Sequence, residues 1–191
     1  MTPEERRRQL LGIGLRKFVD RPVQELSLDE VAAEAGVSRG LLFHYFPTKT
    51  AYHEAVVAAA GRRVLRTLRP DDGVTGEAAV RQIVERFVAQ VDRRRGFYLA
   101  FVYGQIGLPA GAAGPRQDVA IGLRRNISGL VCTAMGYAAP LTPVVHAWVA
   151  YVEDLALQHT EPGTSWGAGT APLVDHCVAL LPVLVALGPP A

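Results

Sequence analysis

Residues 28–45, LDEVAAEAGVSRGLLFHY, carry the pattern of two short helices joined by a tight turn. Val31 and Ala35 stand one helical turn apart, which places both on the inward face of the first helix. Small Ala32 allows the two helices to cross closely, and Gly36 tolerates the left-handed backbone conformation that ends a helix. The stretch therefore predicts a helix-turn-helix.

The second helix of this pair is predicted over about residues 39–45, with Ser38 as its N-terminal cap. Val37 and Leu42 close the small core, and Phe46 is expected to be buried as well. This packing leaves one face outside, where it could enter the major groove of DNA. That face carries Arg39, Gly40, Phe43 and His44, while Ser38, Tyr45 and Lys49 would contact phosphates on either side.

Capping patterns place the neighbouring helices. Residues 2–5, TPEE, form a capping box that opens a helix running to about Val19. Residues 27–30, SLDE, form a second capping box, and Thr48 is expected to cap a helix that ends near Leu68. The first helix is predicted to turn Leu11, Leu15 and Phe18 inward and to leave Arg6, Arg7, Arg8 and Arg16 free for solvent or phosphate.

The rest of the chain continues the helical pattern. Beyond the turn-rich residues 69–73, further helices are predicted over roughly 77–94, 96–107, 116–137, 142–159 and 171–187. The chain is therefore predicted to be all-α, with about nine helices in total. The expected organisation is a three-helix DNA-binding domain over 1–47, a connecting helix over 48–69 and a C-terminal domain over 70–191.

Composition narrows the class of protein. With 191 residues, of which 49% are hydrophobic, the chain can bury a core as one medium domain or two small ones. Cys132 and Cys177 lie far apart without CxxC spacing, which argues against a disulfide framework, and no metal or cofactor is predicted. The longest apolar stretch, residues 177–188, is shorter than the roughly 20 residues of a membrane helix. The charged N-terminus lacks a secretory apolar segment, so a cytoplasmic protein is expected.

Charge is distributed unevenly along the chain. Residues 1–69 hold 12 of the 20 basic and 8 of the 18 acidic residues, a net charge of +4, whereas residues 70–191 carry a net charge of −2. Such asymmetry indicates a basic module that meets a polyanion and a second module with another task. A basic face that is merely solvated is the alternative.

The sequence argues against an enzyme. It contains no HExxH, CxxC, GxSxG or phosphate-loop pattern. His176 and Cys177 are neighbours in sequence, and their side chains would point apart on a helix. No catalytic residue is predicted.

Residues 35–49, AGVSRGLLFHYFPTK, resemble the signature of the TetR family of one-component transcriptional regulators. That signature is a helix ending in Ala-Gly-Val-Ser, a recognition helix ending in an aromatic-His/Tyr-Phe run, and then Pro-Ser/Thr-Lys. The resemblance covers about residues 8–56. The remainder of the chain resembles the family only in its helix content.

The resemblance implies a DNA-binding role for specific side chains. Ser27 and Ser38 would bind phosphates, and Arg39 and His44 would face base edges. The remaining residues of the predicted DNA-binding surface, which would contact the DNA backbone, are Tyr45, Thr48 and Lys49. Gly40 would let the helix approach closely, and Leu41 could touch a thymine methyl group. Phe43 departs from the family, because many relatives carry tyrosine there and a phenyl ring cannot hydrogen-bond a phosphate.

The resemblance also implies a helical C-terminal domain that dimerises through its last two helices and encloses a small-molecule pocket. The final helix, from Leu173, is apolar on nearly every face after His176, which fits packing against a symmetry mate. An isolated core helix is the alternative. In the preceding helix, Val145, Trp148, Val149, Val152 and Leu155 are expected to contribute to the same bundle or to the pocket wall.

An aromatic segment at residues 96–103 is expected to line the pocket. Ligand pockets are usually apolar walls with a few placed polar groups, so a mainly apolar, possibly aromatic effector is predicted. The predicted ligand-binding residues are Phe97, Tyr98, Phe101, Tyr103, Gln105, Asn126, His146, Trp148 and Tyr151, with Glu153 as a further polar candidate.

The predicted function is therefore a homodimeric repressor that binds a palindromic operator. Its two recognition helices would lie about 34–36 Å apart, one turn of DNA, and effector binding would change that spacing. Two alternatives stay open. One is a constitutive or architectural DNA-binding protein without an effector, and the other is a transcriptional activator.

Overall fold

The computed structural model describes residues 1–20, 25–102, 118–161, 163 and 169–188. The described residues form helices and no strand, which confirms the all-α prediction. The helices are α1 (Pro3–Asp20), α2 (Leu28–Ala35), α3 (Arg39–Tyr45), α4 (Lys49–Leu68), α5 (Gly76–Arg93), α6 (Arg95–Val102), α7 (Asp118–Met135), α8 (Thr142–His159) and α9 (Ala171–Leu187). A short 3-10 helix, Ala139–Leu141, precedes α8 and was not predicted from the sequence.

The chain divides into two compact units. The first comprises residues 1–63 and 96–119, and the second comprises residues 64–95 and 120–191. The division falls within α4, whose residues up to Arg63 belong to the first unit and whose later residues belong to the second.

The first unit has its core between α1, α2 and the start of α4. Leu10, Phe18 and Val31 are buried there. The hydroxyl of Tyr52 on α4 donates a 2.9 Å hydrogen bond to the carbonyl oxygen of Leu10 on α1. Burial raises the pKa of Tyr52, so the hydroxyl keeps its proton and remains a donor.

One predicted capping box forms and the other does not. The amide of Glu5 donates to Oγ1 of Thr2 at 3.2 Å, and the amide of Thr2 donates to Oε2 of Glu5 at 2.7 Å. Ser27 stands at the N-cap of α2, but its side chain makes no capping hydrogen bond, so the predicted box with Glu30 is wrong. Glu30 instead approaches the ammonium group of Lys17 on α1 at 3.7 Å.

The second unit packs α5, α8 and α9 against one another. The inward face predicted for α8 is confirmed, because Val145, Trp148, Val149, Val152 and Leu155 are all buried. Nε1 of Trp148 donates a 2.9 Å hydrogen bond to the carbonyl oxygen of Cys177 on α9. This bond satisfies the one polar group of a fully buried indole.

No helix among the described residues is both long enough and apolar enough to cross a bilayer.

Candidate nucleic-acid interface

The turn between α2 and α3 is fixed by its own backbone. Gly36 adopts the left-handed conformation, with φ 65° and ψ 35°. The amide of Gly36 donates to the carbonyl oxygen of Ala33, and the amide of Val37 donates to that of Ala32. This pair of bonds is the Schellman arrangement that closes a helix end, and it starts the next helix within three residues.

Helix α3 is capped by a side chain at its N-terminus, and one of its faces is buried against the protein. Oγ of Ser38 accepts a 3.1 Å hydrogen bond from the amide of Leu41, as the sequence predicted. Leu42 is fully buried and Phe46, just after the helix, is 2% exposed. The opposite face is open, because Arg39, Gly40, Leu41 and His44 are exposed and Phe43 and Tyr45 are half-buried.

Arg39 has two partners within this interface. Its Nη1 lies 3.1 Å from Oδ1 and 3.2 Å from Oδ2 of Asp29 on α2. Its guanidinium carbon also lies over the ring of Phe43, 5.5 Å from the centroid. The sequence analysis missed both contacts. The spacing of Arg39 and Phe43, four residues apart on one helix, was the signal that could have found the second.

The residues predicted to meet phosphates flank α3 at both ends. Oγ1 of Thr48 accepts a 3.0 Å hydrogen bond from the amide of Ala51 and so caps α4, as predicted. Lys49 is exposed at the start of α4. The ring of Tyr45 stands edge-on to that of His44, with centroids 5.4 Å apart. Ser27 is half-buried before α2.

Two side chains of α4 contact the ends of the helix-turn-helix. The rings of Phe46 and Tyr52 meet edge to face with centroids 5.0 Å apart, which joins the end of α3 to α4. Nε2 of His53 lies 3.3 Å from the carbonyl oxygen of Leu26, just before α2. Both ends of the helix-turn-helix are therefore anchored on α4.

Several basic side chains of α1 are engaged within the protein. Nη2 of Arg16 lies 2.8 Å and Nζ of Lys17 lies 3.0 Å from the carboxylate of Glu34 on α2. These hydrogen bonds, first Arg16 and then Lys17, lower the pKa of Glu34. Arg6 donates to Gln9 at 2.7 Å, and Arg7 lies over the ring of Phe46. Arg6, Arg7 and Arg16, predicted to be free for solvent or phosphate, therefore make contacts within the protein, although Arg7 and Arg16 remain exposed.

The helix-turn-helix segment and the overall fold are both similar to those of known proteins. Residues 10–56 match the sequence model of a family described as bacterial regulatory proteins, tetR family. A crystal structure of a tetR-family transcriptional regulator from Streptomyces coelicolor is similar over 98% of this chain and 83% of that chain, with 27% identity and a TM-score of 0.71. Residues 10–56 therefore match the DNA-binding segment of the TetR family, and the fold of the whole chain is similar to that of a tetR-family regulator.

Curated relatives agree with this similarity over part of their length. The transcriptional regulator BetI of Cronobacter sakazakii is 34% identical over 84 residues, which are 42% of each chain. The transcriptional activator FasR of Mycolicibacterium smegmatis is 30% identical over 118 residues, 58% of this chain and 52% of that protein. The chain spans about a third to a half of the length of the curated relatives it matches. Each of these relatives is named as a transcriptional regulator or activator.

The second unit contains a small apolar pocket that is partly open to solvent. Its volume is about 10 Å³, and the residues that line it come from α5, α7 and α8. Its lining consists of Ile83, Val84, Phe87, Ile127, Trp148, Val149 and Val152. Of the predicted ligand-binding residues, Trp148 is among them. The sequence analysis missed the α5 side chains, because an apolar helix face looks the same whether it meets another helix or a cavity.

The other predicted ligand-binding residues are dispersed. Tyr98 is buried on α6, and Asn126 is exposed on α7. The hydroxyl of Tyr151 lies 2.7 Å from Nε2 of His176 at the surface. His146 is half-buried, and its pKa is lowered by burial and then by the charges of the adjacent arginines of α7. The side chains of Phe97 and Phe101, and all of Tyr103 and Gln105, lie outside the described residues.

Polar groups of the second unit pair with each other. Glu153 is 1% exposed and accepts an ion-paired hydrogen bond from Nε of Arg124 on α7. Arg81 on α5 lies 2.6 Å from Oδ1 of Asp175 on α9. Among the described residues, no group of three or more His, Cys, Asp or Glu side chains is placed to hold a metal ion.

Proposed function

We propose that the protein is a DNA-binding transcriptional regulator, acting as a homodimeric repressor at a palindromic operator. The observation that carries the proposal is the exposed face of α3, held outward by the capped turn at Gly36 and the buried side chain of Leu42. A short helix presented in this way has the size and placement to enter a major groove. A protein that binds chromosomal DNA acts in the bacterial cytoplasm.

The positive charge of the N-terminal residues also supports DNA binding. The net charge of +4 in residues 1–69 attracts the phosphate backbone, and Lys49 is exposed at the start of α4 beside α3. Phosphate contacts fix the register of a protein on DNA, whereas side chains at base edges read the sequence. Arg39, Leu41 and His44 are the exposed side chains of α3 that could reach those edges.

The apolar end of α9 supports a dimer. Val183 is 55% exposed and Leu187 is 78% exposed, although α9 contains no charged residue after Asp175. A second copy of the chain would cover these side chains, and a twofold dimer would present two copies of α3 to a palindrome.

The effector we propose is small and mainly apolar. The pocket between α5, α7 and α8 is lined by aliphatic and aromatic side chains, and it would have to expand to hold more than about one water molecule. A ligand that favours the expanded form would shift the equilibrium between DNA-bound and free states. Coupling of about 1–3 kcal/mol is typical of such regulators.

Selection from a pool of random duplexes, followed by binding measurements on the enriched sequence, tests the proposal. We expect a palindrome bound about 10³–10⁷-fold more tightly than random DNA. The variant R39A/H44A should lose that preference, whereas R94A, a charge removed from an exposed site in the second unit, should keep it. Failure to enrich any sequence, or a monomer bound to a single half-site, would contradict the proposal.

Activation is the second candidate, because one relative, FasR, is named as an activator. A reconstituted transcription assay on the selected operator separates the two by the sign of the change in transcript. A constitutive DNA-binding protein would repress or activate without response to any apolar ligand. An architectural protein would bind random duplex nearly as well as the enriched sequence.

A further inference from the structure

Arg39 is held in one place at the start of α3. Its side chain is 62% exposed, yet Nη1 is within hydrogen-bond distance of both carboxylate oxygens of Asp29. The ring of Phe43 lies against the same guanidinium group. Exposed arginines usually sample many rotamers, so a carboxylate at one edge and a ring at one face restrict this one.

The contacts leave a defined part of the guanidinium group open. With Nη1 bound to Asp29, the edge formed by Nε and Nη2 makes no hydrogen bond to any described residue. Two parallel N–H donors in a plane match O6 and N7 of guanine in the major groove. They also match two phosphate oxygens, so the neighbours of Arg39 must decide between the two ligands.

The negative charge of Asp29 favours guanine over phosphate as the ligand of Arg39. Its carboxylate would repel a phosphate group brought to the same guanidinium group, because both are anions. A guanine edge is neutral and accepts hydrogen bonds, so it can share Arg39 with Asp29 without this repulsion. Phe43 argues the same way, since its ring can hold the guanidinium plane but has no hydroxyl to offer a phosphate.

We propose that Asp29 and Phe43 position Arg39 to read one guanine in each operator half-site. The proposal rests on the DNA-binding function proposed above and adds a role for two residues on that surface. Asp29 and Phe43 are positioning residues, because they act on DNA through Arg39.

The test compares the selected operator with duplexes that carry a single changed base pair in both half-sites. R39A is expected to abolish the preference for guanine at one position, where the wild-type protein prefers it by about tenfold or more. R39K should restore little of it, because an ammonium group lacks the planar fork. All other positions should keep their preferences.

The positioning residues are then changed one at a time. D29N and F43A should reduce the guanine preference at the same position by about three- to tenfold, a factor typical of a lost side-chain contact. F43Y should retain it, because a phenol ring also stacks on the guanidinium group. D29N should in addition bind random duplex more tightly, because it removes a negative charge from the DNA-facing surface. E54Q removes the same charge at an exposed site on α4 and should leave the base preference unchanged.

The two proposals fail in different ways. If no sequence is enriched, the DNA-binding function itself is wrong. If an operator is found but R39A keeps every base preference, Arg39 does not read a base. If R39A loses the guanine preference while D29N and F43A retain it in full, Arg39 reads the base without help, and the positioning role is overturned.

Discussion

Gly14 on α1 lies directly beneath the side chain of Tyr52 on α4. A Cβ atom on Gly14 would lie 2.6 Å from Cγ2 of Val56 and would also collide with the hydroxyl of Tyr52. The same hydroxyl donates its hydrogen bond to Leu10, one turn earlier on α1. The two helices therefore meet at a point where only a hydrogen atom fits.

The first prediction follows from that contact. G14A should destabilise the protein by about 1–3 kcal/mol, because overpacking forces neighbouring side chains or backbone to move. G12A is the matched control, since its added methyl group would meet nothing closer than 3.9 Å and alanine is the better helix former. Urea unfolding would measure both. A G14A protein as stable as G12A would show that the α1–α4 contact is looser than described.

The second prediction concerns the two serines that precede α2 and α3. S38A should cost about 0.5–2 kcal/mol of unfolding free energy, because the amide of Leu41 loses its cap. S27A should cost less, because the side chain of Ser27 makes no capping bond. Thermal unfolding of the two variants without DNA measures the difference. Equal losses would mean that Ser38 contributes no cap in solution.

The third prediction concerns the two thiols. Cys177 is fully buried, and burial raises its pKa to about 11, whereas Cys132 is half-buried. Burial also raises the pKa of Cys132, but its thiol is the more accessible of the two. An aromatic disulfide reagent at pH 8 should therefore modify Cys132 first, because the reagent must reach a thiolate. C132S should nearly abolish labelling of the folded protein, and C177S should not. In denaturant, both thiols of the wild type should react at similar rates.

The fourth prediction is a pH dependence of stability. Hydrogen bonds from Arg16 and Lys17 hold the pKa of Glu34 below its ordinary value of 4.5 in the folded protein. A carboxyl group with a lowered pKa stabilises the fold above its unfolded pKa, and this stabilisation is lost as the pH falls through the folded pKa. The stability of E34Q should therefore depend less on pH than that of the wild type as the pH falls below about 4.5. An unchanged dependence would mean that the Arg16–Lys17 cluster does not persist in solution.

The fifth prediction separates phosphate contacts from base contacts. K49A should weaken binding to the operator and to random duplex by the same factor, and it should lower the salt slope by about 0.9. K17A is the control, because Lys17 is the other lysine of the chain and is paired with Glu34. A loss confined to the operator would assign Lys49 to base readout instead.

Local signals in the sequence predicted local structure well. Gly36, Ser38 and Thr48 each act within three residues of their own position, and all three behave as expected. The bounds of α8 and α9 agree with the predicted 142–159 and 171–187, because proline and glycine mark them.

Contacts between residues that are distant in the sequence were harder to predict. Ser27 has the same capping pattern as Thr2, yet its partner Glu30 lies near Lys17, thirteen positions earlier in the chain. The ion pair between Asp29 and Arg39 likewise depends on the angle at which α2 and α3 cross, and the spacing of the two residues in the sequence does not determine that angle. The pocket beside Trp148 depends on imperfect packing of α5, α7 and α8, and the sequence pattern of each helix does not show how closely the three helices pack.

The tight fit of Gly14 under Tyr52 has a consequence for sequence divergence within the family. Any relative that builds the same α1–α4 crossing must keep the combined volume at these two positions nearly constant. A larger residue at the position of Gly14 should occur together with a smaller one at the position of Tyr52. The pair should therefore co-vary, and a lineage that acquires one change without the other should be rare.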